Sequence, residues 1–188
     1  MRRNFFSEDF VRVISGKARG LKLISPAGNS TRPTLDRVKE ALFSMLLPYL
    51  NEASVLDLFA GSGALGIEAL SRGADKAVFV DSSNTAIDCV KKNLAAAKLE
   101  NSATVIMSSS ESYLKKCTEK FDIIFLDPPY AQSLYEDSLM LIEKYNLLSE
   151  SGIIVVEWDC DIGFNGKISR FKVLKDKKYG RVGITVLK

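Results

Sequence analysis

The chain has 188 residues, 46% of them hydrophobic, with 26 Lys/Arg against 23 Asp/Glu and a net charge of +3; it suits one α/β domain that buries about 70% of its unfolded surface, and is short for two. No apolar run approaches the ~18 residues that cross a bilayer, and Met1-Arg2-Arg3 leads into polar Ser7-Glu8-Asp9 where a secretory leader is apolar, so a cytoplasmic protein with no membrane contact is expected. Cys89, Cys117 and Cys160 lack metal-ligand spacing, and the absence of histidine excludes imidazole-base mechanisms and the commonest zinc ligand, so no metal is expected.

Residues 10–14 and 21–24 alternate apolar and polar side chains around Gly16 and Gly20, which predicts a short hairpin. Leu35, Val38, Leu42 and Met45/Leu46 then mark a helix entered through Pro33-Thr34 and closed near Pro48. From residue 54 the pattern changes. Apolar strands at 54–59, 76–81, 102–107, 121–126 and 152–157 alternate with helix-period segments at 63–72, 84–98, 110–116 and 133–146. That alternation predicts an α/β fold with a doubly wound, mostly parallel sheet. Segments 170–175 and 182–187, joined by Asp176-Lys177-Lys178-Tyr179-Gly180-Arg181, are close enough in sequence to form an antiparallel hairpin on the sheet edge. The expected division is a basic hairpin-and-helix extension over 1–50 and the main domain over 51–188.

Three features carry chemistry. The first strand runs into Gly61-Ser62-Gly63-Ala64-Leu65-Gly66 and then a helix, a G-x-G-x-x-G turn in its required context. Such a turn lets a ligand approach the backbone at a helix N-terminus, and Asp81, 20 residues beyond Gly61 at the end of the second strand, can accept two hydrogen bonds from a ribose diol. Asp57, between Leu56 and Leu58, is the second feature. A carboxylate in a buried strand needs a partner: either loop amides hold it structurally, or a cationic ligand beside the turn does. The ammonium of a methionine moiety would serve and an anionic pyrophosphate would not, so S-adenosylmethionine fits better than NAD. The third is Asp127-Pro128-Pro129-Tyr130 after the apolar strand 121–126. Two prolines stiffen the backbone and leave the Asp127 carboxylate and Pro128 carbonyl as acceptors at the strand's C-terminal end, where open α/β sheets bind ligands. Such a pair suits an aromatic –NH₂ group, with Tyr130 stacked on the base.

Asp127-Pro128-Pro129-Tyr130, together with Val55-Leu56-Asp57-Leu58-Phe59-Ala60-Gly61-Ser62-Gly63, resembles the class I S-adenosylmethionine-dependent amino-methyltransferases. More narrowly, Arg12…Gly16-Lys17-Ala18-Arg19-Gly20, the block from Thr31-Arg32-Pro33 to Ala41-Leu42-Phe43, and Gly63-Ala64-Leu65-Gly66-Ile67-Glu68-Ala69-Leu70-Ser71-Arg72-Gly73 resemble the 16S ribosomal RNA guanine-N2 methyltransferase family. The resemblance covers nearly the whole chain. It implies a Rossmann-like seven-stranded sheet and methyl transfer to the N2 amine of a guanine in small-subunit ribosomal RNA, free or in an assembled particle, by a monomer. It also implies a catalytic group of Asp127, Pro128, Pro129 and Tyr130, with Asp57, Phe59, Gly61, Gly63 and Asp81 around the cofactor. At the adenine-contacting turn the family usually carries Asn or Asp followed by Ala, and here Ser109-Ser110 stands in their place. Rival readings are an amino-methyltransferase for DNA adenine N6 or a protein glutamine, and an inactive RNA-binding protein that keeps the fold.

Charge is segregated along the chain: net +5 over residues 1–40, −9 over 41–166 and +7 over 167–188. Solvated termini are one explanation. The other is that the ends grip RNA phosphates through Arg12, Lys17, Arg19, Arg32, Lys177, Lys178 and Arg181. The resemblance further implies that strand 170–175 runs parallel to the main sheet and 182–187 against it, which puts the turn 176–181 on the same side as Asp57 and Asp127.

Overall fold

Apolar strands separated by amphipathic helices cannot bury both sheet faces unless helices cover each of them, and the chain folds accordingly. The structure, a computed structural model, describes residues 11–26, 34–128, 132–164 and 170–188. A short antiparallel ribbon of β1 (Val11–Arg12) and β2 (Lys22–Leu23) precedes helix α1 (Thr34–Leu50). Then follow β3 (Ser54–Asp57), α2 (Ala64–Ser71), β4 (Lys76–Asp81), α3 (Asn84–Ala97), β5 (Ala103–Met107), α4 (Ser110–Lys116), β6 (Phe121–Leu126), α5 (Gln132–Lys144), β7 (Leu148–Asp159), β8 (Val173–Tyr179) and β9 (Val182–Leu187). The large sheet has seven strands in the order β5-β4-β3-β6-β7-β9-β8. Strands β3 to β7 are parallel, β9 pairs antiparallel with both β7 and β8, and β8 therefore runs with the parallel set.

Alternate strand residues face opposite helix layers. Val55, Phe79, Phe125 and Val155 pack with Val38, Leu42 and Phe43 of α1, Ile67 of α2, and Val90 and Leu94 of α3. Leu56, Val80, Ile124 and Val156 pack with Leu114 of α4 and Leu139 and Ile142 of α5. Burying each such side chain is worth about 1.5–3 kcal/mol, so both layers hold the sheet. The first helix continues through Pro48, beyond its predicted close, because Leu46 and Leu50 bury their side chains in the core and offset the ladder bond that proline cannot donate. Strand β7 begins at Leu148 and ends at Asp159, longer than predicted at both ends, with a register irregularity opposite 121–123. Strand β8 is displaced from the predicted 170–175, and its connection to β9 shrinks to Gly180-Arg181, where Gly180 supplies the positive φ of 64° that a two-residue hairpin needs.

Residues 13–24 dock by burying Val13 and Leu23 in the core and by polar contacts to α2 and α3. Glu68, 0% exposed, accepts the amides of Ile14 (2.7 Å) and Ser15 (3.0 Å), pairs with Arg72 at 2.6 Å and lies 3.3 Å from the Lys39 ammonium. Lys39 also donates to the Arg12 carbonyl, and burial pulls its pKa below the usual lysine range although Glu68 opposes this. Ser71 Oγ donates to the Ser15 carbonyl (2.6 Å) and accepts the Ala18 amide (2.9 Å). Gly16 is required here, since a Cβ would sit 1.8 Å from the Ser71 carbonyl oxygen. Buried Asn93 accepts the Ile24 amide and donates to the carbonyls of Ile24 and Ser62, each at 2.8 Å. The segment is thereby tied to the glycine turn.

Candidate active site

The glycine turn opens where β3 ends. Gly63, at φ 78°, occupies the N-cap of α2 without offering a side-chain cap. Asp57, 2% exposed, supplies one from the strand, its Oδ2 accepting the Gly66 amide at 3.0 Å. Gly66 is set by packing, because a Cβ there would come within 2.3 Å of the Phe79 ring. Helix, strand and turn therefore meet as the G-x-G-x-x-G pattern requires. Asp81 at the end of β4 accepts the Gly61 amide (Oδ2, 2.9 Å) and the Ser83 amide (Oδ1, 2.8 Å), so it shapes the turn while each oxygen keeps a further lone pair. Phe59 is half-buried and packs on the core shared with α4 and α5. Ser108 binds the Asp81 carbonyl through its amide (3.0 Å); Ser109 caps α4, its Oγ accepting the Ser112 amide at 3.2 Å, and Ser110 opens that helix.

Asp127 and Pro128 follow β6 at the same edge of the sheet. Pro129 and Tyr130 lie outside the described residues, as does Arg32. Strand register places further carboxylates beside Asp127. Asp57 is level with Phe79 and Phe125, and Phe125 with Val155. Asp81, Asp127 and Glu157 each stand two residues beyond that line, and the two-residue period assigns all four to the face that carries α1 and α2. The sequence reading passed over Glu157. Its signal was position: it ends the apolar run Ile153-Ile154-Val155-Val156 as Asp81 and Asp127 end theirs.

The electrostatics agree with this grouping. Burial raises Asp57 to about 7, against the pull of the Gly66 amide and with Asp127 and Asp81 adding to the rise. Asp127 is open to solvent on one side, yet the protein crowding its carboxyl lifts it to about 6. Glu157 is raised well above the usual range by burial and by Asp127. None of the ion pairs among the described residues reaches these carboxylates. A row of mutually repelling carboxyls beside a helix N-terminus is complementary to a ligand with positive centres and hydroxyl donors, and would repel a pyrophosphate. S-adenosylmethionine, with a sulfonium, an ammonium and a ribose diol, fits this donor-and-acceptor set. Among the described residues no group of His, Cys, Asp or Glu is arranged to hold a metal ion.

The basic residues divide by position. Lys177 pairs with Ile184, which pairs with Glu157, so Lys177 stands in the same cross-strand row as the carboxylates. Lys178 places its ammonium 5.5 Å from the centre of the Trp158 ring on the opposite face, and Arg181 pairs with Asp161 at 2.7 Å. Arg12 pairs with Asp36 at 2.7 Å near the start of α1. Lys17 and Arg19 are exposed beside the C-terminal end of α2, where the Lys17 amide meets the Ser71 carbonyl, and are therefore a helix length away from Gly63.

Comparison with known proteins converges on one group. A family model described as "Conserved hypothetical protein 95" matches residues 11–188. YlbH of Bacillus subtilis (strain 168) is 42% identical over 181 residues, 95% of this chain and 98% of that one. Ribosomal RNA small subunit methyltransferase D of Haemophilus influenzae is 44% identical over 154 residues, 80% of each chain. The solved structure of Escherichia coli yhhF superposes with a TM-score of 0.85 at 34% identity, covering 95% of this chain and 97% of that one. With the doubly wound sheet, the glycine turn and the carboxylate row already in place, these likenesses mean that the chain belongs to the 16S ribosomal RNA guanine-N2 methyltransferase family typified by ribosomal RNA small subunit methyltransferase D.

Proposed function

We propose that Asp127 and Pro128 hold the exocyclic N2 amine of a guanine in small-subunit ribosomal RNA while it receives a methyl group. The enzyme is an S-adenosylmethionine-dependent RNA (guanine-N2) methyltransferase. The cofactor, when bound, supplies an electrophilic methyl carbon on sulfur and takes back the electron pair of the broken C–S bond. Asp57 faces its positive charge, Asp81 its ribose diol, and Phe59, Gly61, Gly63, Ser109 and Ser110 line the remaining contacts. The Asp127 carboxylate and the Pro128 carbonyl accept the two amine protons. With both protons accepted, the positive charge that develops on nitrogen as it attacks is favoured. A carboxyl lifted to about 6 is suited to take the proton that nitrogen then loses. Tyr130 stacks on the extruded base, and Pro129 stiffens the acceptor pair.

The observation that carries this reading is the row of carboxyls at one sheet edge with Asp127-Pro128 at its centre. The basic residues Arg12, Lys17, Arg19, Arg32, Lys177, Lys178 and Arg181 hold RNA phosphates, with 1–50 as an RNA-facing extension of the domain over 51–188. The protein works as a monomer in the cytoplasm, and no helix among the described residues is long and apolar enough to cross a membrane. The test is to incubate the protein with labelled S-adenosylmethionine and small-subunit RNA, free and as particles, then digest and identify the labelled nucleoside. N2-methylguanosine is expected. Label on adenine or on protein, or no transfer to either RNA form, overturns the reading.

A further inference from the structure

We propose that Glu157 reads the identity of the target base, its carboxyl accepting the N1–H of the guanine whose N2 amine lies against Asp127 and Pro128. The inference rests on the functional reading above and adds to it the group that makes that site select guanine.

Four observations lead there. Val156 pairs with Leu126 in the parallel register of β7 with β6, so Glu157 stands level with Asp127 on the neighbouring strand. The two-residue period puts both on one face, and Asp127 contributes to the rise in the Glu157 pKa, which places their carboxyls close together. No hydrogen bond or ion pair among the described residues reaches the Glu157 side chain, and Lys177, two strands away in the same row, makes no ion pair with it. Glu68 shows what a carboxylate with a structural role looks like in this fold, since it takes two backbone amides and two cations. Among the described residues Glu157 has no such partners, and it sits half-buried beside the acceptors of the reacting amine.

The chemistry of the bases supplies the rest. In guanine the N1–H donor is adjacent to the N2 amine, so a base whose amine meets Asp127 can present N1–H toward the neighbouring strand. An N1–H donor favours the ionised Glu157 carboxylate, and against that form adenine at N1 and cytosine at N3 would each set a bare lone pair. A site built around a substrate N–H discriminates strongly against a base that lacks it, because the site's own acceptor is then left unpaired. Asp127 and Pro128 recognise an amine; Glu157 would specify which base bears it.

The test uses the RNA form that the wild-type protein methylates, with guanine or 2-aminopurine at the target position. The analogue keeps the N2 amine but has an acceptor at N1. Wild-type protein is expected to favour guanine by about 100-fold in kcat/KM, the scale of a hydrogen bond to a charged group. Glu157→Gln offers an amide N–H to the analogue and is expected to lower that preference about tenfold or more, with the Kd for S-adenosylmethionine unchanged by calorimetry. Equal use of the two bases by the wild type overturns the inference even if no variant folds. An unchanged guanine preference in a folded Glu157→Gln also overturns it. Failure of the wild type to methylate guanine at all would instead remove the functional reading beneath it.

Discussion

Glu68 and Asp57 are both carboxylates with 2% exposure or less, and both serve α2, yet their surroundings are opposite. Glu68 has two backbone amides, Arg72 and Lys39. Asp57 has the Gly66 amide and faces Asp81 and Asp127, with no cation among the described residues. A buried charge supplied with partners by its own chain is complete as folded, and its work is to hold residues 13–18 on the domain. A buried carboxyl that its chain surrounds with more carboxyls stays protonated or waits for a cation from outside. The difference separates structure from function more sharply than burial or conservation of charge type could.

The contrast predicts opposite results when each carboxylate is removed. Glu68→Ala leaves Lys39 and Arg72 without their buried partner and is expected to cost about 3–5 kcal/mol in urea unfolding. Asp57→Asn in cofactor-free protein is expected to leave stability at pH 8 unchanged or raised, while S-adenosylmethionine binding is weakened but still measurable in calorimetry. A stable Glu68→Ala together with an unfolded Asp57→Asn would break the comparison. Within the row, Asp127→Ala should lower turnover by roughly 10²–10³, the scale of one transition-state hydrogen-bond partner, with little change in cofactor affinity. Asp81→Ala should do the reverse and weaken cofactor binding by ~1.5–3 kcal/mol. It should also lower the melting temperature, because the Gly61 and Ser83 amides lose their acceptor.

Acidity sharpens the comparison further. The folded-state pKa of Asp57 lies near 7, above the ordinary carboxylate value of 3.8, so the folded protein holds the proton more tightly than the unfolded chain does. Its contribution to cofactor-free stability is complete below 3.8 and is lost as the pH rises through about 7. Cofactor binding has the opposite sign, since the positive ligand selects the ionised form. Affinity should fall about tenfold per unit as the pH drops below that pKa, and Asp57→Asn should abolish most of the slope. The smallest effect concerns RNA. Replacing Arg19 and Lys178 together by Ala should flatten the slope of log affinity against log salt by roughly 1–1.5, with cofactor binding intact. Because Arg19 lies at the far end of α2 and Lys178 stands over Trp158, the single variants show whether phosphate contacts extend across the molecule.

Strand–helix alternation, the glycine turn and the position of Asp127-Pro128 were all legible in the sequence, because each is a local pattern of two to six residues. The hairpin of β8 and β9 was legible as a pairing but not in its bounds: polar 176–181 reads as a turn, yet one glycine at positive φ allows strand to continue almost to the corner. The clamp around Glu68 escaped the reading for a different reason. Its partners lie 53 and 54 residues upstream at Ser15 and Ile14, and no periodicity links them. A trace was present in α2 itself, where a charged residue stands between Ile67 and Ala69 in a helix that is buried from Gly66 to Ser71. Glu157 was overlooked because a single acid at the end of an apolar strand resembles any strand terminus until register puts it beside Asp127.

The carboxylate row also acts as a sieve. A phosphodiester carries a full negative charge and a nucleobase none, so on the proposed function a sheet edge lined by four acids disfavours the RNA backbone where it admits a base. Lys177, Lys178 and Arg181 are exposed toward the β8 edge of the sheet, and the proposed function has the backbone run along them. A base reaches the acids only after leaving its stack and swinging away from its own phosphates. On that reading, the same charges that favour a cationic methyl donor disfavour helical RNA and favour an extruded nucleotide.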